Sequence, residues 1–247
     1  MDISKPLREL VLSVADFIYP PHCLICGALV NGEDGAVCEE CWSKLKPIEG
    51  PHCGRCGSPL GGMSYGCPNC SGRDQLYLRA RVLTPFSGEV QAIIHLFKYR
   101  GKRGIGRRLG AMLSGLLISE PWISDIDVIC PVPLHPSRER ERGYNQSAVL
   151  AESISSEVGI PFGERLLQRV RNTPSQTGLS LPERVENVSG AFRVKDPSGI
   201  YGKNVLLIDD VLTTGATVNA CADALLSSGA NSVSVAAVAS PFVSVGR

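Results

Sequence analysis

The chain has 247 residues, with 25 Lys and Arg against 24 Asp and Glu, so its formal net charge is +1. This length accommodates one domain core of ordinary size, at about 100 to 200 residues per domain, plus a small accessory module. The near-neutral charge excludes a global basic field for nucleic acid or for an anionic membrane. Any such partner must therefore bind a local patch.

The N-terminal segment predicts a helix but no membrane span. No apolar run reaches the roughly 18 residues that a spanning helix needs. Residues 7–18 place apolar side chains at helical spacing before Pro20 and Pro21, which predicts an amphipathic helix within residues 1–20. Docking onto the protein's own core is favoured over a membrane-surface or partner role, because the polar face has few Lys and Arg. Asp16 and the lack of a small-residue cleavage site disfavour a signal peptide. We expect a cytoplasmic protein, with a peripheral position at the inner face of the membrane as the alternative.

Eight of the ten cysteines form four C-x2-C pairs near the N-terminus. These pairs are Cys23/Cys26, Cys38/Cys41, Cys53/Cys56 and Cys67/Cys70. Two thiolates on one tight turn supply half of a tetrahedral zinc shell, and a second such turn completes it. Residues 21–41 and 51–70 repeat the same order, because PHC-x2-CG opens each segment and C-x2-C closes it. The pattern predicts a double zinc ribbon over residues 21–75 with one or two structural zinc ions, and it leaves an interleaved pairing of the cysteines open.

Other roles for these residues are less favoured. A disulfide framework is disfavoured in a reducing cytosol, and a redox-active C-x-x-C lacks a matching fold signal. His22 and His52 each precede a cysteine pair, but four sulfurs per ion make them surface residues rather than ligands. Cys130 and Cys221 lie in apolar contexts and are interpreted as core residues.

From residue 76 onward, strand-like and helix-like segments alternate. Strands are predicted over residues 76–84, 128–130, 166–170, 204–208 and 233–238, and helices over 88–99, 107–117, 146–158 and 217–227. This alternation predicts an α/β domain over residues 76–247, with a mostly parallel sheet flanked by helices. Sheets of this kind bind ligands beyond the carboxyl ends of their strands.

The stretch VLLIDDVLTTGAT, residues 205–217, has the pattern of a sugar-phosphate site. An apolar run ends in Asp209 and Asp210, and a loop of small residues then leads into a helix. The loop consists of Thr213, Thr214, Gly215, Ala216 and Thr217. Its backbone N–H groups and the helix N-terminus can bind a phosphate, while the two carboxylates can accept hydrogen bonds from ribose hydroxyls. An ordinary strand–turn–helix is the alternative, but an acidic pair at this point has no packing purpose.

This stretch resembles, at every position, the 5-phosphoribosyl-1-pyrophosphate (PRPP) motif of type I phosphoribosyltransferases. The resemblance implies that Asp209 and Asp210 bind the 2′- and 3′-hydroxyls and that residues 213–217 surround the 5′-phosphate. In that family a C1–O bond breaks through an oxocarbenium-like state, as in glycoside chemistry, and pyrophosphate leaves. Mg²⁺ bridging pyrophosphate and ribose oxygens is implied as the metal cofactor.

Two basic segments supply candidate cations for the phosphates. After the strand at 128–130, the segment PVPLHPSRERERGYNQ places Arg138, Arg140 and Arg142 in a predicted loop that opens a helix. Its position matches the pyrophosphate loop of the resembled fold. Arg138 and Arg142 are therefore predicted to be catalytic together with Asp209 and Asp210, and Arg142 is the favoured arginine. A solvated charge run is the alternative. His135 is interpreted as a loop residue rather than a general base.

The second basic segment lies between the first two predicted helices. It contains Lys98, Arg100, Lys102, Arg103, Arg107 and Arg108. Lys98 is predicted to bind PRPP, and the segment is also a candidate for contact with a nucleic-acid backbone or for an exposed helix connection. A polar loop follows further along the chain, with Arg171, Thr173, Gln176, Ser180 and Arg184. A loop of that length is typical of a lid or binding segment.

Taken together, these features resemble the ComF/ComFC family over nearly the whole chain. The motifs that carry the resemblance are the tandem ribbons, HLFKYRG at 95–101, PVPLHPSRERERGYNQ at 131–146, RNTPSQTGLSLPERVENVSGAF at 171–192 and LIDDVLTTGATV at 207–218. The resemblance implies a role in natural competence and transformation, the inward handling of single-stranded DNA at the cytoplasmic membrane. It also implies relatives linked to gluconate use.

Two functional hypotheses of different class follow. In the first, the chain is a Mg²⁺-dependent phosphoribosyltransferase, of the glycosyltransferase class, that transfers ribose 5-phosphate from PRPP to an unknown acceptor and releases pyrophosphate, a reaction type of nucleotide metabolism. In the second, it is a non-catalytic component of DNA uptake that uses the transferase scaffold to bind PRPP, single-stranded DNA or a DNA-translocation protein.

Overall fold

The computed structural model describes residues 21–30, 36–61, 67–70, 74–174, 178 and 180–242. The helix predicted within residues 1–20 lies outside these ranges. The chain divides into two compact units, Met1–Leu45 and Lys46–Arg247. The first four-cysteine group belongs to the first unit, and the second group belongs to the same unit as the α/β sheet.

The two ribbon segments have the same local backbone. In the first unit, His22 pairs with Leu29 in an isolated antiparallel bridge. A short helix, α1 (Glu39–Ser43), begins within the second cysteine pair, with Cys38 as its N-cap and Cys41 inside it. In the second unit, His52 pairs with Pro59 in the equivalent bridge. The repeated sequence order therefore produces a repeated hairpin, as the sequence predicts.

Among the described residues of the second unit, the α/β part contains six strands. They are β1 (Arg79–Pro85), β2 (Val128–Pro131), β3 (Leu167–Arg169), β4 (Phe192–Val194), β5 (Asn204–Val211) and β6 (Ser232–Ser240). Four of them form a sheet in the order β1-β6-β5-β2, in which every neighbouring pair is parallel. Strands β3 and β4 form a separate antiparallel pair. The predicted mostly parallel sheet is confirmed.

Six helices accompany these strands in the part of the chain that the structure describes. They are α2 (Gly88–Tyr99), α3 (Arg103–Ile118), α4 (Pro136–Arg142), α5 (Gln146–Val158), α6 (Leu181–Val188) and α7 (Ala216–Ser227). Two short 3-10 turns lie at Pro121–Asp125 and Pro197–Gly199. Helices α2 and α5 have the predicted bounds. Asn145 caps the start of α5 through its side chain, and Gly159 ends it.

Three elements differ from the sequence prediction. The segment that carries the three arginines was expected to be a loop and is the helix α4, because the His135 side chain caps its start and Pro136 occupies its first position. Helix α6 was not predicted, and it begins at a capping box formed by Ser180 and Glu183. Strand β4 is three residues long, too short for a periodicity signal, and it is held by pairing with β3.

Apolar side chains are buried on both faces of the parallel sheet. Helices α3 and α5 pack on one face, and α7 packs on the other face together with β4. In β5, Val205 and Leu207 belong to the core on the α7 side, where they share a cluster with Cys130 and Cys221. Both cysteines are fully buried, and burial raises the pKa of Cys130 to about 12, so their interpretation as core residues is confirmed. Among the residues that the structure describes, no helix is both long enough and apolar enough to cross a bilayer.

Candidate functional site

The eight ribbon cysteines form two separate clusters of four. The first consists of Cys23, Cys26, Cys38 and Cys41, and the second of Cys53, Cys56, Cys67 and Cys70. Within each cluster the sulfur atoms all lie within 4.8 Å of one another, with closest Sγ–Sγ distances of 3.5 to 3.8 Å. A tetrahedron with Zn–S bonds of about 2.3 Å has edges of about 3.8 Å, whereas a disulfide bond measures about 2.05 Å. Both clusters therefore fit structural zinc, and the pairing is sequential rather than interleaved.

Neither histidine next to a ribbon cysteine belongs to a cluster. His52 was expected at the surface, but it is half-buried, with its Nε2 atom 3.2 Å from Oε1 of Glu120. The same oxygen lies 2.8 Å from Nε of Arg81, a buried residue of β1. His52 thus connects the second ribbon to the sheet through a carboxylate.

A cleft of about 490 Å³ opens where β2 and β5 end. Of the predicted site residues, Lys98, Arg138, Arg142, Asp209, Asp210, Thr213 and Thr217 line this cleft. Thr214 and Gly215 line a smaller cavity beside it, and Ala216 is buried in the first turn of α7. The strand order explains this grouping, because β2 and β5 are parallel neighbours and their carboxyl ends meet at one edge of the sheet.

The acidic pair at the end of β5 is held by two other elements. Nζ of Lys98, from α2, lies 2.8 Å from Oδ2 of Asp210. Oδ1 of Asp209 accepts hydrogen bonds from the Ser147 hydroxyl, at 3.2 Å, and from the Asp210 amide, at 2.8 Å. Burial and the neighbouring Asp210 charge raise the pKa of Asp209 to about 7, although Lys98 and the two hydrogen bonds act in the opposite direction. Burial is the largest single effect on the pKa of Lys98 and lowers it, but the charge of Asp210, its hydrogen bond to Lys98 and the charge of Asp209 together shift that pKa upward.

The TTGAT loop, residues 213–217, joins β5 to α7. Gly215 has φ +84° and is the N-cap residue of α7, a conformation that only glycine adopts without strain. The Thr214 hydroxyl accepts a hydrogen bond from the Ala216 amide at 3.4 Å. The N-terminus of a twelve-residue helix thus begins at the cleft edge, where its dipole favours an anion.

Two arginines of α4, Arg138 and Arg142, also line the cleft. Arg142 donates to Oε1 of Gln146 at 2.9 Å, and its guanidinium lies 5.1 Å from the centre of the Tyr99 ring. Arg138 is more exposed and pairs with Glu141 at 3.4 Å. Arg140, on the same helix, is exposed and does not line the cleft.

His135 lies at the start of α4 and also lines the cleft. Its Nδ1 atom is 2.7 Å from the Ser137 hydroxyl and accepts the Ser137 amide at 3.3 Å. The imidazole therefore acts as a helix cap, in line with its interpretation as a loop residue.

The second basic segment does not act as one patch. Lys98 points into the cleft, whereas the Arg103 guanidinium lies over the Tyr144 ring at 5.0 Å and donates to the Gly143 carbonyl at 3.4 Å. Arg100, Lys102 and Arg107 are exposed to solvent.

The polar loop that follows β3 also contains both residues that line the cleft and residues that do not. Thr173 and Arg184 line the cleft, whereas Arg171 is exposed and donates to the Ser189 carbonyl. Ser180 starts α6, and Gln176 lies outside the described residues.

Sequence reasoning missed Arg169 as a site residue. It lies at the end of β3, lines the cleft, donates to the Thr173 hydroxyl and has its guanidinium 5.4 Å from the Phe192 ring centre. Burial lowers its pKa, and its buried Nε has no hydrogen-bond partner among the described residues. Ser147 was also missed. The only sequence signal for Arg169 is its polar character at an alternate position of the predicted strand 166–170. Such a side chain can face either a cleft or bulk solvent, so the signal does not identify a site residue.

Two family models match the chain, and both agree with the fold and the site. Residues 14–71 match "Double zinc ribbon domain", and residues 145–243 match "Phosphoribosyl transferase domain". The chain is therefore a double zinc ribbon protein with a phosphoribosyltransferase-type domain.

Curated relatives identify the family more closely. The chain is 34% identical over 202 residues to "Competence protein ComFC" of Bacillus subtilis (strain 168), which covers 79% of this chain and 80% of that protein. It is 28% identical over 218 residues to "Competence protein F" of Haemophilus influenzae, covering 87% and 94%. It is 27% identical over 219 residues to "DNA utilization protein YhgH" of Escherichia coli (strain K12), covering 87% and 95%. The chain belongs to the ComF/ComFC family.

Among solved structures, the chain is similar to a purine phosphoribosyltransferase from Pyrococcus horikoshii Ot3. The identity is 18% and the TM-score is 0.35, with 57% of this chain and 76% of that chain covered. An adenine phosphoribosyltransferase gives 14% identity and a TM-score of 0.36, with 60% and 74% covered. These TM-scores are low, so the fold assignment rests on the parallel sheet and on the family-model match.

Proposed function

We propose that the chain binds PRPP together with Mg²⁺ and transfers ribose 5-phosphate to an acceptor nucleophile, with release of pyrophosphate. One observation carries this proposal: Asp209, Asp210, Thr213 and Thr217 line one cleft together with Arg138 and Arg142 of α4. A volume of about 490 Å³ falls within the range of about 300 to 1,000 Å³ typical of small-molecule sites.

Each part of PRPP has a chemically suitable partner in this cleft. The carboxylates of Asp209 and Asp210 accept hydrogen bonds from the ribose hydroxyls. The backbone N–H groups of the TTGAT loop and the N-terminus of α7 bind the 5′-phosphate. Arg142 and Arg138 bind the pyrophosphate, and the planar guanidinium of Arg142 is already oriented by Gln146.

The same placement suits the reaction. The C1–O bond to pyrophosphate breaks, its electron pair leaves with the pyrophosphate, a bond forms from C1 to the acceptor, and the acceptor loses its proton. Positive charge develops on the ribose, on the side of the two carboxylates, and negative charge develops on the leaving group, on the side of the arginines. Both charges are therefore stabilised by groups that are in position before the reaction.

The acidic pair fits a divalent cation. Asp209 and Asp210 are hard oxygen donors, and among their described contacts one cationic side chain, Lys98, lies in the ion-pair position. Burial and the neighbouring Asp210 charge raise the pKa of Asp209, and a divalent cation at this position would counteract both effects. When bound with PRPP, Mg²⁺ would supply charge neutralisation for the leaving pyrophosphate.

Calorimetric titration of PRPP in the presence of MgCl2 tests donor binding. Asp210→Asn should weaken binding by about tenfold or more, because a charged hydrogen-bond acceptor is lost. Asp223→Asn, at an exposed position of α7, is the matched control and should bind like the wild type. Wild-type protein that shows no heat of binding and no thermal protection by PRPP would overturn the proposal. Turnover is then tested by screening metabolites and oligonucleotides for PRPP-dependent pyrophosphate release.

A second candidate function is binding of single-stranded DNA in the setting that the relatives' names describe, competence and DNA utilization. Three exposed cations, Arg100, Lys102 and Arg107, lie close together in sequence around the start of α3 and favour this candidate. Phosphate contacts of this kind give affinity that falls with salt, with a slope of about −0.7 per contact on single strands.

Fluorescence anisotropy with a labelled oligonucleotide tests this candidate. Replacing the three cations by Gln should reduce the salt slope by about two and leave PRPP binding unchanged. The control replaces Arg193 and Lys195 by Gln. These two cations are also exposed, and they lie in β4 and directly after it. Affinity that is absent, or that does not depend on salt, would exclude this function.

A further inference from the structure

The second zinc ribbon is docked on the first strand of the sheet. The Ala80 amide of β1 donates to the Gly54 carbonyl at 3.0 Å. Gly57 has φ +75°, and a Cβ atom at that position would lie 2.8 Å from Val82 Cγ2 and 2.9 Å from Val82 N. Because such distances leave no room for any side chain, the first cysteine turn of this ribbon lies directly against β1.

The segment that leaves this ribbon is attached to the helix that follows the TTGAT loop. Asn219, on α7, donates from Nδ2 to the Asp74 carbonyl at 2.8 Å and accepts the Leu76 amide on Oδ1 at 3.2 Å. The backbone amide of the same asparagine donates to the Gly215 carbonyl at 2.8 Å. One residue therefore joins the ribbon's exit segment to the loop.

Behind the TTGAT loop, the ribbon leaves almost no space. A cavity of about 20 Å³, on the order of one water molecule, separates the two. Its lining combines Cys56 and Asn69 of the ribbon with Thr213, Thr214 and Gly215 of the loop. Within the ribbon, the buried Asn69 side chain donates to the Ser58 hydroxyl at 2.8 Å and so links its two cysteine turns.

We infer that the second zinc ribbon is a positioning element for the TTGAT loop, and that its zinc cluster is needed for tight binding of a 5′-phosphate. This inference rests on the proposed function. A loop that binds phosphate through backbone N–H groups must hold them within a fraction of an ångström, and misplacement by about 1 Å costs about a hundredfold in function. The ribbon is too small to have a core of its own without metal. Loss of its zinc therefore removes the support behind the loop.

The other ribbon is a matched control within the same chain. Among the described residues, those that line the cleft and the small cavity all belong to the unit Lys46–Arg247. Cys26 and Cys56 occupy equivalent positions in the two clusters. Cys26→Ser and Cys56→Ser should each reduce zinc from two ions per chain to one, as measured by mass spectrometry of the metal.

Calorimetry with ribose 5-phosphate and, separately, with pyrophosphate plus Mg²⁺ then separates the two ends of the site. Cys56→Ser should weaken ribose 5-phosphate binding by about ten- to a hundredfold and leave pyrophosphate binding within about twofold. Cys26→Ser should leave both unchanged. If the Cys56→Ser variant has lost one zinc ion but still binds ribose 5-phosphate with the affinity of the wild type, the inference is overturned.

Asn219→Ala provides a variant that keeps both zinc clusters. It removes the two side-chain hydrogen bonds to residues 74–76 and should weaken ribose 5-phosphate binding by about three- to tenfold with two zinc ions retained. If Cys56→Ser does not fold, an unchanged affinity in Asn219→Ala overturns the inference.

Amide hydrogen exchange of residues 213–217 in ligand-free protein gives a readout that does not depend on binding. Exchange there should be faster in Cys56→Ser and in Asn219→Ala than in Cys26→Ser. If wild-type protein binds neither PRPP nor ribose 5-phosphate, the proposed function fails. If it binds both but the exchange rates and affinities are equal in all variants, only the positioning role fails.

Discussion

Nζ of Lys98 lies 2.8 Å from Oδ2 of Asp210, where it neutralises one of two adjacent carboxylates. The sequence predicts that Lys98 contacts PRPP, and in the structure its ammonium group pairs with Asp210. The two roles are compatible, because both use a cation at the cleft edge. Its charge also lowers the pKa of Asp209, which burial and Asp210 raise to about 7.

We expect Lys98→Met to shift the pH dependence of PRPP binding. Ionised Asp209 is the form that accepts ribose hydroxyls, so binding should weaken as pH falls through about 7. Removing the cation should raise the pKa of Asp209 further and move the midpoint up by about one pH unit. Calorimetric titration of PRPP between pH 6 and 9, in steps of roughly half a pH unit, measures this midpoint. Arg100→Met, at an exposed position, is the control. An unchanged midpoint in Lys98→Met would show that Lys98 does not control this carboxyl.

Asp209→Asn should stabilise the fold at alkaline pH while it weakens ligand binding. Between about pH 4 and pH 7 the unfolded state is ionised at this position and the folded state is protonated, so stability falls as pH rises and the full cost is present above pH 7. The neutral amide avoids that cost, which is on the order of 4 kcal/mol for a pKa raised from 3.8 to about 7. Thermal unfolding at pH 8 and pH 4 measures it. The control variant Asp223→Asn, at an exposed position, should leave the melting temperature unchanged at both pH values. If Asp209→Asn raises the melting temperature equally at pH 8 and pH 4, ionisation of Asp209 is not the cause.

Gly215→Ala should destabilise the TTGAT loop. Alanine at φ +84° costs about 1–2 kcal/mol, and relief of that strain would tilt the first N–H groups of α7 away from the cleft. Both the melting temperature and ribose 5-phosphate affinity should fall. Gly115→Ala, inside α3 where an added Cβ meets nothing within 4 Å, should instead stabilise by about 0.5–1 kcal/mol. Equal effects of the two substitutions would refute the strain argument.

Arg142→Lys should weaken pyrophosphate binding by about tenfold even though the charge is kept. Arg142 donates to Gln146 with one nitrogen and lies over the Tyr99 ring, and a lysine reproduces neither the fork nor the stacking. Titration of pyrophosphate with Mg²⁺ measures the loss. Arg140→Lys, on the exposed side of the same helix, should have no effect, and equal losses in both variants would point to α4 as a whole rather than to Arg142.

Much of the candidate site could be predicted from the sequence, because its signals are local. The cysteine pairs lie three residues apart, and the acidic pair and the TTGAT loop are adjacent in the chain, so spacing alone indicates zinc and a sugar phosphate. Strand β5 and helix α5 were likewise predictable, since apolar runs and end caps are contained within the element.

Other features depend on the order in which strands assemble. Ser147 reaches Asp209, and Lys98 reaches Asp210, because β2 and β5 are neighbours and α2 and α5 pack around their ends. Arg169 lines the cleft from the end of β3, whose position is set by its antiparallel pairing with β4. These are contacts between distant parts of the chain, so the hydrophobic periodicity of a single segment does not predict them.

The sequence by itself determined the chemistry of the parts: two four-sulfur clusters, one acidic pair, one phosphate-type loop and the cations near them. Only the tertiary structure decided that the cysteines pair sequentially, that one ribbon lies behind the TTGAT loop, and which arginines face the cleft. The physical reason is that ligand chemistry belongs to side chains and short turns, whereas the distance between two elements is set by the packing of the whole sheet.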